Sequence, residues 1–320
     1  MFFVLLAGLI WSFGPLVVRN MDNAELVPWQ YSLIRGLAIF LILNLYLFLI
    51  EGTKFINNYN KIGTSGLIGG ISLGVANITF ILSLTTTSAA VTLLMLGALP
   101  FLAAIIAYIV LNEKISKTTL IAITIAAAGI IFMCFDSIQT GTLFGLVNGL
   151  ISSIGFAIFT VTLRYKKNTP KLTTVSIAGL FAAGVSLLVL IFNDSNIFMT
   201  LKNTSLSSLH GFIVCSALIL YSAKSKYLPA ADLTLLSLTE ILGGIFWVWL
   251  PLLGINEVPS NNTIIGGVII SLAIIFYGLN TKRYIFRYQF VLAILSSSSD
   301  SKTILSETFL DMCNIALTTF

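Results

Sequence analysis

The sequence predicts an all-α integral membrane protein with ten transmembrane helices, arranged as two inverted five-helix repeats. Three observations lead there. The 320 residues are 57% apolar and only 9% charged, with a mean hydropathy of +1.01, whereas a soluble domain carries about 25% charge. Residues 62–112 contain no charge at all, a stretch too long for one crossing and right for two. Two short sequences also recur at one spacing. GLIWSFG at 8–14 returns as GLISSIG at 149–155, and AAVTLLML at 89–96 returns as AADLTLLSL at 230–238 with one inserted residue, each 141 residues downstream.

Each element follows from the same arithmetic. A helix rises about 1.5 Å per residue and the hydrocarbon core is about 30 Å thick, so a crossing needs about 20 apolar residues. Ten segments qualify: 2–18, 28–50, 63–84, 88–111, 118–135, 141–163, 172–192, 206–223, 230–253 and 263–280. The first lacks a basic leader and a small-residue cleavage site, so it reads as a retained helix. The polar run Thr85-Thr86-Thr87-Ser88 is the expected turn between the third and fourth spans. The eighth opens on polar residues, Ser205 to His210, which makes it the least apolar at its start. All should be helical, because a segment in lipid must satisfy its own backbone groups and no strand-like alternation is visible.

With ten crossings, both termini and the loops after every second helix share one side. Most of the 17 Lys and Arg fall there: Lys54, Lys61, Lys114, Lys117, Arg164, Lys166, Lys167, Lys171, Lys224, Lys226, Lys282, Arg283 and Arg287. The opposite loops hold Arg19 and Lys202. The positive-inside rule makes the first side cytoplasmic, and the expected placement is multi-pass in a bacterial inner (cell) membrane with both termini cytoplasmic. Topology thus accounts for the net charge of +5, and the basic residues are too dispersed to form a nucleic-acid patch. Cys134, Cys215 and Cys313 are far apart and read as small apolar residues, and one histidine, His210, leaves no ligand set for a metal. No phosphate-binding GxxxxGK[ST] loop occurs. No cofactor is expected.

Five helices per repeat is an odd number, so the second copy enters the bilayer from the opposite side. Two such halves can rock around a site between them, which is the basis of alternating access. The expected units are 1–136 and 137–283, with 284–320 a tail of unassigned role. In helix nine Glu240 lies near the bilayer midplane, where an ionised carboxylate needs a partner or water; a cavity-facing acid that binds an amine or carries a proton competes with a structural acid. Arg35, early in helix two, is either a snorkelling side chain or a carboxylate clamp and partner of Glu240. Trp11, Asn77, Tyr108 and Trp247 are further candidates for a substrate cavity, and Asn148, Tyr221 and Trp249 lie comparably deep. His210 is expected at the interface. The glycine rows Gly66, Gly70, Gly74 and Gly141, Gly145, Gly149 suit close helix packing, and Pro15, Pro100 and Pro251 suit kinks.

These residues also carry a resemblance. Trp11-Ser12, Arg35, the run from Ala89 through Pro100 to Asn112-Glu113-Lys114, and Leu228-Pro229-Ala230-Ala231 leading to Glu240 together resemble the EamA-like branch of the drug/metabolite transporter (DMT) superfamily, over about residues 1–283. The resemblance implies a ten-helix permease that moves small metabolites, often amino acids or related amines, without ATP. Two departures stand out: Ile241 replaces the proline that usually follows the helix-nine glutamate, and the end of helix nine is about three residues longer than its first-half counterpart. The expected function is a secondary transporter, not an enzyme, with a small-molecule substrate, the lipid bilayer as its surroundings and room for proton coupling. A non-transporting scaffold and a membrane-embedded transferase are the alternatives. Substrate identity, direction of transport, coupling ion and oligomeric state are left open by the sequence.

Overall fold

A computed structural model of the chain describes residues 2–140, 143–166, 168–225, 227–251, 255, 258 and 260–297. Its helices are α1 (Phe2–Trp11), α2 (Gly14–Arg19), α3 (Pro28–Glu51), α4 (Ile56–Asn60), α5 (Gly63–Thr86), α6 (Ala89–Leu96), α7 (Leu99–Leu111), α8 (Lys117–Thr140), α9 (Leu143–Tyr165), α10 (Lys171–Phe192), α11 (Leu201–Lys224), α12 (Ala230–Ser237), α13 (Thr239–Trp249) and α14 (Asn261–Ser297). Among the described residues, eight helical stretches are long and apolar enough to cross a membrane: Phe2–Arg19, Pro28–Asn60, Gly63–Thr86, Ala89–Leu111, Leu143–Tyr165, Lys171–Phe192, Leu201–Ala223 and Ala230–Trp249. The expected fifth and tenth spans correspond to shorter apolar helices, Lys117–Phe132 and Ile264–Asn280.

The helices are apolar on both faces, as a lipid-facing bundle requires. On α3 the row Ile39, Leu43, Leu47 is buried, while the row Leu41, Leu45, Leu49 is exposed, at 61%, 58% and 73%. Both rows step by four residues, so each follows one side of the helix.

Several boundaries differ from expectation for local reasons. The threonines expected as a turn continue α5, because Thr85 and Thr86 donate their hydroxyls to Ile81 and Leu82 carbonyls one turn back, at 2.8 and 2.6 Å. The chain turns at Thr87, and Ser88 caps α6 by accepting from Val91 N at 3.2 Å. The polar start of the eighth span is helical from Leu201, since Thr200 caps it and Ser207 and Ser208 bond back to Asn203 and Thr204. Helix nine ends at Trp249, before the expected 253, because Leu250 precedes Pro251 and takes an extended conformation. Pro15 and Pro100 open α2 and α7 within their first turn, so each marks a break more than a kink. α14 runs on to Ser297, beyond the expected 280. Gly141, Cys313 and residues 298–320 lie outside the described residues.

The main packing pairs are α5 on α9 and α1 on α11; α5 on α10 and α3 on α11; α6 and α7 on α9, and α12 and α13 on α1. Three further pairs, α3 on α10, α8 on α14, and α6–α7 against α12–α13, complete the bundle. Where α3 crosses α10 the backbones touch: a Cβ added at Gly36 would lie 2.7 Å from Gly179 O, and one at Gly179 would lie 2.8 Å from Gly36 O. Gly66, Gly70 and Gly74 likewise bring α5 onto α10 and its preceding loop.

The bundle has two polar ends. One gathers Arg19, Asp22, Gln30, Thr87, Asn196 and Asn203. The other gathers Asn44, Tyr59, Ser176, Glu113, Arg164 and Ser225.

Candidate functional site

Halfway along the bundle the helices part around a cavity of about 60 Å³. The depth follows from helix rise. At about 1.5 Å per residue, Trp11 and His210 stand roughly 14 Å from the starts of their spans, Glu240 roughly 15 Å and Arg35 roughly 10 Å. All four line the cavity, as does Asn77. Water-sized sites need about 10–15 Å³ each, so the space holds a few waters or one small polar group.

Glu240 is placed by a broken helix. α12 ends at Ser237, α13 begins at Thr239, and Glu240 stands in the first turn of α13, where the helix dipole favours a negative charge. Among the described residues its carboxylate makes no hydrogen bond. Arg35 shares the cavity, but the two form no ion pair, so the expected direct partnership is absent here. Instead Arg35 Nη1 donates to Asn77 O at 3.3 Å. Arg35 Nε and Asn77 Nδ2 are buried without a hydrogen-bond partner. Buried donors are normally satisfied, and these two belong to residues that line the same cavity as the Glu240 carboxylate.

The remaining candidates separate. Tyr108 is 61% exposed, three residues before the end of α7 and away from the cavity. Trp247 is also outside the cavity. Its Nε1 donates to Ser12 Oγ at 2.9 Å and its ring stacks on Phe13 at 4.5 Å, joining α13 to the break between α1 and α2. Trp249 is 43% exposed. Asn148 donates to Phe144 O in its own helix, and Tyr221 shares a hydrogen bond with Thr160.

His210 corrects the sequence expectation most. It is 1% exposed, lines the cavity, and its Nδ1 shares a hydrogen bond with Tyr31 OH. The interfacial placement failed because α11 starts five residues earlier than the apolar pattern suggests.

The cavity wall is built in pairs. Trp11 and Ser152, Leu73 and Val214, Asn77 and Leu218, Leu96 and Ser237, and Leu99 and Glu240 all line it, and the members of each pair are 141 residues apart. Ser152 and Ser237 were not singled out from sequence, although the repeat spacing points to both. The repeated motif has a matching role in each copy. A Cβ on Gly8 would fall 2.1 Å from Thr239 Oγ1 at the α12–α13 break; one on Gly149 would fall 2.8 Å from Met95 Cβ beside the α6–α7 break.

The first 135 residues match the family model described as the EamA-like transporter family. Residues 1–135 belong to that EamA-like family, within the DMT superfamily. That match and the apolar helices together indicate a multi-pass membrane protein. No curated protein matches the sequence significantly. A solved crystal structure is similar in fold, with a TM-score of 0.65 and 15% identity, over 88% of this chain and 97% of that one. The likeness in fold therefore extends well past the EamA-like residues.

Proposed function

We propose that the chain is a secondary, ATP-independent transporter of small metabolites, most suited to amino acids or related amines, working by alternating access between inverted halves 1–136 and 137–283. The observation that carries this is the paired cavity wall, in which residues 141 apart line one space that also holds Arg35 and Glu240. The packing supports it as well. Exchanging each helix with its partner in the other half turns α5 on α9 into α11 on α1, and α5 on α10 into α11 on α3, both of which occur.

In this proposal Glu240 receives the ammonium of the solute, while Arg35 Nε and Asn77 Nδ2 receive its carboxylate or another acceptor. A cavity of about 60 Å³ is small beside the roughly 300 Å³ or more of an ordinary ligand pocket, so the wall must open to load. The basic end carrying Arg164 faces the cytoplasm, in a bacterial cell membrane, and Glu240 is also the group suited to carry a proton.

The test is uptake of labelled amino acids and amines into proteoliposomes, with and without a pH gradient, for the wild type and Glu240→Gln. Saturable wild-type flux, reduced roughly ten- to hundred-fold in Glu240→Gln by loss of a charged hydrogen bond, is expected. Wild-type flux equal to that of empty liposomes for every solute would overturn the proposal.

A further inference from the structure

Two sequence markers that the cavity does not use meet at one end of the bundle. Arg164, in the last turn of α9, donates Nη1 to Ser225 O at 2.9 Å and to Leu228 O, while its Nε and Nη2 hold Glu113. The other oxygen of Glu113 accepts from Ala230 N at 3.2 Å, the first amide of α12. A single guanidinium therefore grips the loop that leads into the broken helix carrying Glu240, and its carboxylate partner caps that helix.

The opposite end has the same device. Arg19, the last residue of α2, donates Nη1 to Leu84 O at 2.9 Å and Nη2 to Thr87 O at 2.8 Å. Leu84 and Thr87 stand 141 residues before Ser225 and Leu228. Each arginine thus grips the equivalent two carbonyls of its own half, on the loop entering that half's broken helix. The arginines themselves are not at equivalent positions. The counterpart of Arg19 is Thr160, and Arg164 lies four residues on, one helical turn along the same face. Two unrelated positions converging on one pair of carbonyls argues for a shared task, since a chance surface contact would not reproduce the acceptors.

We infer that Arg164 and Arg19 are opposing latches, each of which must release its loop before the cavity opens at its own end. This rests on the transporter reading for its purpose, but the latching can be tested without flux. The probe is a single cysteine at the cavity wall, Ser237→Cys, with Cys134, Cys215 and Cys313 replaced. It is labelled by a membrane-impermeant maleimide in intact cells and in inside-out vesicles.

Arg19→Ala is expected to raise labelling about tenfold from one side and Arg164→Ala about tenfold from the other, as loss of a charged clamp shifts a two-state balance. Glu113→Gln should shift labelling in the Arg164 direction by less. Arg19→Lys and Arg164→Lys, which keep the charge and lose the planar fork, serve where an alanine variant does not fold. Shifts from the same side in both arginine variants, or no shift in folded variants, would overturn the latch while leaving transport by the wild type intact. Opposed shifts in a protein that moves no solute would support the latch and count against the transporter reading.

Discussion

The two broken helices that meet at the cavity bend by different means. Between α6 and α7 the break uses residues made for it: Gly97 ends one piece, and Pro100 opens the next, where its missing N–H costs nothing. Between α12 and α13 there is neither glycine nor proline from Ser237 to Ile241. That break is a tight turn, with Leu238 N bonded to Leu235 O at 3.2 Å and Ile241 N to Leu238 O at 3.0 Å. Ser237 and Thr239 occupy carbonyls of the preceding turn, and Thr239 also reaches Leu5 O on α1 at 3.3 Å. The first break is written into the backbone; the second is held by hydroxyls and by a neighbouring helix. The second break therefore needs no proline at Ile241.

Exchanging the polar content of the two breaks tests how far they are equivalent. Glu240→Leu, which copies Leu99, should lower amine flux in proteoliposomes about thirty-fold or more, since removing one member of a buried charged contact costs about 2 kcal/mol or more. Adding Leu99→Glu should restore part of it. A double variant as inactive as Glu240→Leu would mean that the two sides of the wall are not interchangeable.

A smaller effect is expected where the repeated motif supports each break. Gly8→Ala drives a methyl into Thr239 and Gly149→Ala drives one into Met95, and overpacking of this kind costs about 1–3 kcal/mol. Both should lower the unfolding midpoint in detergent, Gly8→Ala more, because the added methyl would also lie 3.1 Å from the Ser237 carbonyl, which as backbone cannot rotate away. Equal midpoints for Gly8→Ala and wild type would show that the second break gives way freely.

The smallest effects separate the two candidates that the structure places outside the cavity. Trp247→Phe loses the bond to Ser12 and should cost about 1 kcal/mol of stability with an unchanged half-saturation concentration for flux. Tyr108→Ala should change stability by less than about 0.5 kcal/mol. A shift in half-saturation for either variant would return that residue to the site.

Much of the architecture was legible because lipid leaves few choices. The charge-free run 62–112 divides where the polar residues fall, and the prolines Pro15 and Pro100 mark real breaks. Counting residues from span ends puts Glu240 near the midplane and Arg35 nearer one face, while Trp11 and Asn77 stand well inside their spans. It also offered Tyr108, which is exposed near the end of α7, because position along a helix carries no information about which side faces inward when both sides are apolar. His210 was missed for a different reason: serines and threonines that satisfy themselves within a helix look like a loop to a hydropathy count. The α12–α13 break was invisible, having no residue type of its own.

One crossing has a mechanical consequence. Where Gly36 meets Gly179, α3 and α10 approach backbone to backbone, with Ile39 and Ala183 flanking the contact. Interlocked side chains resist sliding, because each must leave its groove before the helices can turn, and a crossing centred on two glycines has less to unseat. In the proposed transporter this close crossing of α3 and α10 would serve as the fulcrum of any tilt, with the Asn44–Ser176 hydrogen bond further along the same two helices holding them in register.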